Sequence, residues 1–204
     1  MHPLTQELIY YSSTVNTEGL NRTMRKISNM DSIDEQKQVI LGKNRAEYNA
    51  FHAVAGSKYY KEDPANGAAA LNRVLNKACN VLNQEEYKDF CTSTTKKGYT
   101  PAHLAVRNGS YDAAVMVLQE TKSIYKRAND ENGFQQYTDR KNNLHQTIKD
   151  TYERNIKHSD IDSAPHKPHK ALDKELYGED YQRQQSTFGN RVLQSRQAVA
   201  RSCS

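Results

Sequence analysis

The chain has 204 residues, enough for one compact domain with a tail or for one short repeat domain. Its 29 basic and 24 acidic residues give a net charge of +5, and the charges are interspersed, without the dense basic stripe typical of a general nucleic-acid binder. The mean hydropathy is −0.95 and apolar runs such as residues 39–41 are short, which excludes a membrane-spanning helix.

The first 43 residues have the pattern of a helical N-terminal cap. Apolar residues recur at helical spacing in two stripes, which are Leu4, Leu8, Tyr11 and Val15, and then Leu20, Met24 and Ile27. Gly19 lies between the stripes and predicts the break between two helices. Ser32 and Glu35 have the spacing of a capping box, which predicts a third, short helix ending at Gly42.

The most informative stretch is residues 98–105, which read GYTPAHLA and are followed by VRNG. The pattern G-x-T-P-L-H-x-A is that of an ankyrin repeat, and the chain resembles this family most strongly over residues 95–118. The resemblance implies that Thr100 and His103 tie the turn to the first helix by hydrogen bonds. It also implies a left-handed backbone at Gly109, between the two helices of the repeat.

Two weaker copies of the motif are predicted, one in residues 49–55 around His52 and one in residues 142–148 around His145. The histidines are spaced by 51 and then 42 residues, counted from His52 through His103 to His145, whereas the ankyrin period is about 33 residues. Insertions or extended second helices are therefore expected. Because all three histidines recur at one motif position, we interpret them as scaffold and not as catalytic or metal-binding groups.

The segments between the copies have helical patterns. Asp63 followed by Pro64 predicts the start of a long helix. Three further segments are assigned in order: a short turn at 85–90, a long helix at 111–125 and a polar loop at 129–133. The three cysteines, Cys79, Cys91 and Cys203, form no C-x-x-C pair, which argues against a disulfide framework or a zinc ribbon. We interpret Cys79 and Cys91 as small buried hydrophobic residues.

These patterns predict an all-α fold, a short ankyrin-type helical solenoid with a helical N-terminal cap and a flexible C-terminal tail. The predicted domains are the cap at 1–43, divergent repeats at 44–157 (about 44–94, 95–134 and 135–157), and a linker with a basic, partly disordered tail at 158–204. Residues 158–169 are rich in turn formers. Residues 182–204 hold four arginines and no acidic residue.

The resemblance to ankyrin repeats implies a non-catalytic protein–protein interaction module that binds its partner through the concave face. The positions expected to contact the partner are Arg45, Tyr48, Lys96, Lys97, Tyr99, Arg107, Asn108 and Lys141, joined by Ser57, Asp139 and Lys149. Basic residues dominate this set, so the expected partner has an acidic surface. No metal, cofactor or enzymatic activity is expected, and the chain is expected to be a monomer.

The irregular repeats and the high content of Asn, Lys, Gln and Tyr resemble ankyrin proteins of intracellular bacteria, Legionella-like effectors among them. This resemblance implies an effector acting on a host protein, either cytoplasmic or secreted into a host cell without a signal peptide. Two alternatives stay open: the substrate-recruiting part of an enzyme, and a binder of nucleic acid or anionic membrane that uses Arg183, Arg191, Arg196 and Arg201 in the tail.

Overall fold

The protein is all-helical in the computed structural model, which describes residues 1–158 and 169–178. Every regular element in these residues is an α-helix, which confirms the predicted all-α class. The twelve helices are α1 (Pro3–Ser13), α2 (Thr17–Ser28), α3 (Ile33–Leu41), α4 (Ala50–Ala55), α5 (Lys58–Glu62), α6 (Pro64–Val81), α7 (Gln84–Thr92), α8 (Pro101–Arg107), α9 (Tyr111–Arg127), α10 (Glu131–Thr138), α11 (Ile148–His158) and α12 (Lys170–Tyr177). The chain divides into two units, Met1–Lys167 and Pro168–Ser204, with α12 in the second.

Seven helices of the first unit pack in two layers. In the first layer α1 packs against α4, α4 against α8, and α8 against α11. In the second layer α2 packs against α6 and α6 against α9. Apolar side chains that are completely buried fill the space within and between the layers, among them Leu20, Phe51, Leu71, Val117 and Leu118. The removal of this apolar surface from water is the main favourable contribution to folding.

The break between the first two helices lies earlier than the sequence suggests. Helix α1 ends at Ser13, and Val15 has a positive φ of 53°. The side chain of Asn16 then caps α2 by accepting a hydrogen bond from the Gly19 amide at 2.8 Å, so the prediction of a break at Gly19 is wrong. Gly19 lies inside the first turn of α2, where a Cβ atom would come within 2.3 Å of the Tyr11 ring.

Three helix starts agree with the sequence prediction. The Ser32 side chain caps α3 by accepting from the Glu35 amide, and the Asp63 side chain caps α6, whose first residue is Pro64. Helix α9 begins at Tyr111 as predicted and continues to Arg127, two residues beyond the predicted end. A capping side chain thus located the starts of α3 and α6, whereas α9 begins after Ser110 without a side-chain cap.

Two helices, α7 and α10, occupy segments that were predicted to be a short turn and a polar loop. The segment assigned as a short turn is the nine-residue helix α7, which has a full capping box between Asn83 and Glu86. The segment assigned as a polar loop contains the start of α10, where the Asp130 side chain accepts from the Gly133 amide at 2.8 Å. The loop assignment is wrong because the polar cap residue Asp130 was read as loop, whereas the assignment at 85–90 underestimates the length of α7, whose cap Asn83 lies before that segment.

Within the predicted linker and tail, the described residues 169–178 include helix α12, at Lys170–Tyr177. The rest of that predicted segment, residues 159–168 and 179–204, lies outside the described residues. The four arginines of the alternative nucleic-acid or membrane site are among the residues that are not described: Arg183, Arg191, Arg196 and Arg201.

Candidate protein-interaction surface

Three turns of the same geometry precede the first-layer helices α4, α8 and α11. They are turn 1 (44–48), turn 2 (95–99) and turn 3 (142–146). In each, the first amide donates to the carbonyl of the fifth residue, and the fourth amide donates back to the first carbonyl, at distances of 2.8 to 3.0 Å. The fourth residue has a positive φ in all three turns: Glu47, Gly98 and His145. The equivalent turns are therefore 51 and 47 residues apart.

The predicted register of the third copy is wrong by five residues. The motif alignment places His145 at the position of His103, but His145 is exposed and occupies the left-handed position that Gly98 holds in turn 2. The structural equivalent of His103 is Asp150. Its carboxylate accepts hydrogen bonds from the amide and the hydroxyl of Thr147, both at 2.8 Å. These hydrogen bonds hold the pKa of Asp150 below its usual value.

The histidines of the first two copies have the predicted structural role. The Nδ1 atom of His103 lies 2.8 Å from the Thr100 hydroxyl, and its Nε2 atom lies 3.2 Å from the carbonyl oxygen of Gln146 in the next turn. Each imidazole therefore connects the start of its own helix to the backbone of the following repeat. The equivalent partners of the His52 ring are Asn49 at 2.7 Å and the Ser93 carbonyl at 3.0 Å.

Burial keeps both of these imidazoles neutral. It lowers the pKa of His52 to about 3 and the pKa of His103 to about 4, because a buried imidazolium would lose its hydration. A general base works best when its pKa lies near the working pH. The geometry and the low pKa values both favour the scaffold interpretation over acid–base catalysis.

Successive turns are joined through their backbones. The Lys96 amide donates to the Ala46 carbonyl at 3.1 Å, which joins turn 2 to turn 1. The Asn143 amide donates to the Lys97 carbonyl at 3.0 Å, which joins turn 3 to turn 2. The main chains of these residues are therefore fixed, and the exposed side chains of Lys96 and Lys97 project from a continuous ridge of three turns.

The opposite ends of the first-layer helices are joined by asparagine side chains. The Asn108 amide group donates to the Gly56 carbonyl at the end of α4. Forty-seven residues later, the Asn155 amide group donates to the Val106 carbonyl of α8 at 2.6 Å. Each of these bonds satisfies a carbonyl that a helix end leaves without an intrahelical partner. Asn108 is exposed, as predicted, but its amide group is used within the fold.

Replacing this asparagine is expected to cost stability. We expect Asn108→Ala to lower the free energy of unfolding by about 1 kcal/mol, the typical net contribution of one hydrogen bond. Urea denaturation of the full chain measures this difference. The matched control is Asn72→Ala, at an exposed position of α6, which we expect to stay within about 0.5 kcal/mol of wild type. Equal stability of both variants would show that the Asn108 bond contributes nothing.

The eight residues predicted to contact a partner are not equally available. Tyr48 is half-buried, and Tyr99 is only 6% exposed, so the expectation that Tyr99 offers an exposed ring is wrong. The Tyr99 ring packs edge-on against His103, with centroids 6.2 Å apart, and the Arg107 guanidinium lies 5.2 Å from its centre. The other six are exposed: Arg45, Lys96, Lys97, Arg107, Asn108 and Lys141.

The three further residues expected to contact a partner also differ in their exposure. Asp139 and Lys149 are exposed. Ser57 is 3% exposed, because its hydroxyl donates to the Ser13 carbonyl of α1 and the residue caps α5. Because Ser57 is buried, its side chain is not available to contact a partner directly, contrary to the expectation.

The turns and their flanking residues concentrate positive charge. Segments 43–48, 95–99 and 139–147 hold six basic and two acidic residues, so they account for most of the net charge of +5. Within residues 1–158 and 169–178, no carboxylate lies within ion-pair distance of Arg45, Lys96 or Lys97. Lys141 is close enough to Asp150 to help lower the pKa of that carboxyl. The ridge therefore presents cations that the described part of the fold does not neutralise.

A groove of about 660 Å³ adjoins turn 1. Its apolar lining comes from Ile9 of α1, Tyr48 of turn 1, Ala53 of α4 and Tyr59 of α5, and Lys58 is its one charged lining residue. Ile9 and Tyr59 were not among the residues predicted to contact a partner, because neither lies in a repeat motif. Only the packing of α1 against α4 brings them to the same surface.

The two cysteines in the described residues differ in their exposure. Cys91 is completely buried, as predicted, and burial raises the pKa of its thiol well above its usual value. Cys79 is exposed, so the prediction that it is buried is wrong, because Leu75 and Ala78 occupy the buried face of α6. Cys79 lies at a cavity of about 420 Å³ that Tyr87 and other residues line.

The described residues hold neither a metal-ligand cluster nor a membrane-spanning helix. Residues 1–158 and 169–178 contain no group of three His, Cys, Asp or Glu side chains placed to hold a metal ion. Among the helices of those residues, none has the length and apolar character needed to cross a membrane.

The chain resembles a solved structure in fold. It matches a chain of the crystal structure of the yeast ribosomal protein Rps3 in complex with its chaperone Yar1, with a TM-score of 0.50 and 15% sequence identity. The match covers 74% of this chain and 83% of that chain. At this identity the similarity concerns the arrangement of helices alone. No protein-family model and no curated protein sequence matches the chain.

Proposed function

We propose that the chain is a divergent ankyrin-type helical solenoid that binds another protein and has no chemistry of its own. The binding surface is the ridge of turns 1 to 3 together with the exposed side chain of Arg107, and we call it the turn surface. The observation that carries the proposal is the backbone-linked ridge, on which Arg45 and Lys96 occupy the same turn position and, like Lys97, are exposed with no carboxylate of the described residues at ion-pair distance. Such a rigid surface loses little conformational entropy on binding.

The equivalence of the three turns supports the repeat assignment. A left-handed fourth residue and a polar residue that caps the following helix recur at the same positions of each turn: Glu47 and Asn49, Gly98 and Thr100, and His145 and Thr147. Repeat proteins use this kind of stacking to bury a core that one unit cannot bury alone. The similar solved structure, a ribosomal protein in complex with its chaperone, fits a fold that serves in protein recognition.

The chemistry of the described residues supports a binding role over catalysis. The buried imidazoles of His52 and His103 have low pKa values, and the buried thiol of Cys91 has a raised pKa, so none is poised to react near neutral pH. The composition that resembles Legionella-like effectors makes a host protein our first choice of partner. We therefore propose a eukaryotic cell extract as the source in which to search for it.

The test is affinity capture from a eukaryotic lysate with the full chain. We expect wild type to retain a specific protein, and Lys97→Glu/Arg107→Glu to bind the purified partner at least tenfold more weakly, a difference of about 1.4 kcal/mol. The matched control is Arg25→Glu/Lys126→Glu, which makes the same charge change on exposed positions of α2 and α9 and should bind as wild type does. Thermal unfolding checks that all three chains are folded.

The proposal fails if both double variants retain the partner equally, because the turn surface would then not be the binding surface. It also fails if both lose the partner equally, because net charge would then explain the binding. Loss confined to Lys97→Glu/Arg107→Glu supports it.

A further inference from the structure

We infer that the 660 Å³ groove between α1, turn 1 and α5 receives an apolar side chain of an acidic, extended protein segment, whose carboxylates lie against the cations of the turn surface. This inference rests on the proposed function, and it names the chemistry of the partner. It also assigns a binding role to α1, which precedes the first repeat motif.

The groove has the composition of a side-chain pocket. Ile9, Tyr48 and Ala53 give it apolar walls, and its volume exceeds that of any single side chain. Ile9 is half-buried, so part of its apolar surface remains exposed to water in the free protein. Burial of an aromatic or branched aliphatic side chain contributes about 1.5 to 3 kcal/mol, which makes such a pocket worth filling.

The basic side chains around the groove favour the binding of an acidic protein segment. Its lining includes Lys58 and no acidic residue. Arg107 is close enough to Tyr48 to oppose the effect of burial on the pKa of that phenol, so its positive charge lies beside the groove wall. Tyr48 also belongs to turn 1, which connects the groove directly to Arg45 on the ridge. Turn 1 also carries the exposed Glu47, between Arg45 and Tyr48 in the chain, so the acidic partner is selected by Lys58 and Arg107 more than by turn 1 itself.

The same surface is less suited to a nucleic acid. Proteins that bind single strands place exposed aromatic faces along a basic groove so that the bases stack on them. Here the Tyr99 ring is buried against His103 and beneath Arg107, and the Tyr48 ring is half-buried with its centroid 5.9 Å from that of His52. The described turns therefore offer cations without an aromatic platform, and the exposed ring of the groove, Tyr59, already has the Lys58 ammonium group 5.0 Å from its centre.

The experiment is a double-mutant cycle between the full chain and synthetic peptides. The probes are two fluorescein-labelled peptides of about twelve residues, which span roughly 40 Å when extended. Both are rich in Asp and Glu, and they differ only in one central residue, Phe in one and Ser in the other. Fluorescence anisotropy at low salt measures their dissociation constants, and a uridine oligonucleotide of equal charge is the third probe.

Wild type is expected to bind the Phe peptide about tenfold more tightly than the Ser peptide, because only Phe fills the groove. Ile9→Glu places a carboxylate in the groove wall and should reduce that preference to below about twofold. The matched control, Ile33→Glu, makes the same substitution at an exposed isoleucine of α3 and should keep the full preference. Lys58→Glu, an exposed lining position, should weaken both peptides equally and provides a second variant if Ile9→Glu is unfolded.

Three results would overturn the inference: equal binding of the two peptides to wild type, a Phe preference that survives in Ile9→Glu, or tighter binding of the oligonucleotide than of either peptide. Its failure is distinguishable from failure of the proposed function. If Lys97→Glu/Arg107→Glu loses the captured protein while Ile9→Glu keeps it, the turn surface binds a partner and the groove does not. If Lys97→Glu/Arg107→Glu keeps the protein, the proposed function itself fails.

Discussion

Acidification from pH 7.5 to pH 5.0 is expected to destabilise the fold by about 4 kcal/mol, through two buried histidines. In the unfolded chain a histidine has a pKa near 6.5, whereas burial lowers the pKa to about 3 for His52 and to about 4 for His103. Between these values the unfolded chain binds protons that the folded chain does not. Stability is therefore fully present above pH 6.5 and is lost as the pH falls towards 4, by about 2 kcal/mol per histidine at pH 5.0.

Urea denaturation at pH 7.5, 6.5, 5.5 and 5.0 measures this loss. Carboxylates with lowered pKa values, such as Glu7 and Glu86, lose their contribution only nearer their ordinary pKa of 4.5, so the window above pH 5 belongs to the histidines. His103→Asn should be less stable at pH 7.5 and should show about half of the pH dependence. His145→Asn is the control, because it makes the same substitution at an imidazole that is exposed and not buried.

A free energy of unfolding that is the same at pH 5.0 and pH 7.5 would contradict the argument. It would mean that the imidazoles of His52 and His103 are hydrated or paired with a carboxylate in the folded protein, and are not held by neutral backbone and side-chain acceptors.

Phe51→Ala is expected to cost about 3 to 5 kcal/mol, the range observed for removing a buried phenylalanine ring. Phe51 is completely buried on α4, in the middle of the first layer, and its ring stacks against Phe90 of α7 with centroids 5.9 Å apart. The substitution removes apolar contacts and leaves a cavity between α4 and α7. Thermal unfolding should show a drop of roughly 10 °C, and urea denaturation gives the free energy directly.

Phe134→Ala is the matched control for this effect. Phe134 is half-buried on α10, and the Lys122 ammonium group lies 5.7 Å from the centre of its ring. Because part of this ring is already in water, its removal should cost less than about 2 kcal/mol. A loss for Phe51→Ala no larger than for Phe134→Ala would show that α4 does not hold the centre of the core.

The local signals that were strong in the sequence correspond to strong local interactions in the structure. Thr100 and His103 form the reciprocal cap that their motif implies, and Gly109 has a φ of 71°, in the left-handed region. Asp63 and Pro64 start α6 as predicted. These predictions depend on contacts within about four residues along the chain, which the sequence contains in full.

The third copy was misplaced because its chemistry differs while its geometry does not. An aspartate, Asp150, makes there the helix-cap contact that His103 makes in the second copy, so an alignment on histidines selects the wrong residue. The Thr147-to-Asp150 spacing of a helix cap was a usable signal. The burial of Tyr99 and the groove beside Ile9 were not predictable in this way. The groove depends on the packing of α1 against α4, which are far apart in sequence, and the Tyr99 ring is covered by the side chains of His103 and Arg107 only once the turn and α8 are folded.

The joining of the turns through main-chain atoms has a consequence for how the protein can change. The bonds from Lys96 to Ala46 and from Asn143 to Lys97 involve no side chain except for one additional contact of the Asn143 amide group. The exposed side chains of Arg45, Lys96 and Lys97 can therefore be exchanged without removing these bonds, whereas Asn44, Thr95 and Asn142 hold their turns through side-chain oxygens and must be kept. In the proposed function the side chain at these positions contacts the partner, whereas the main chain maintains the fold. The exposed turn residues can therefore be varied, in evolution or in a designed library, to change the partner that binds while the framework stays constant.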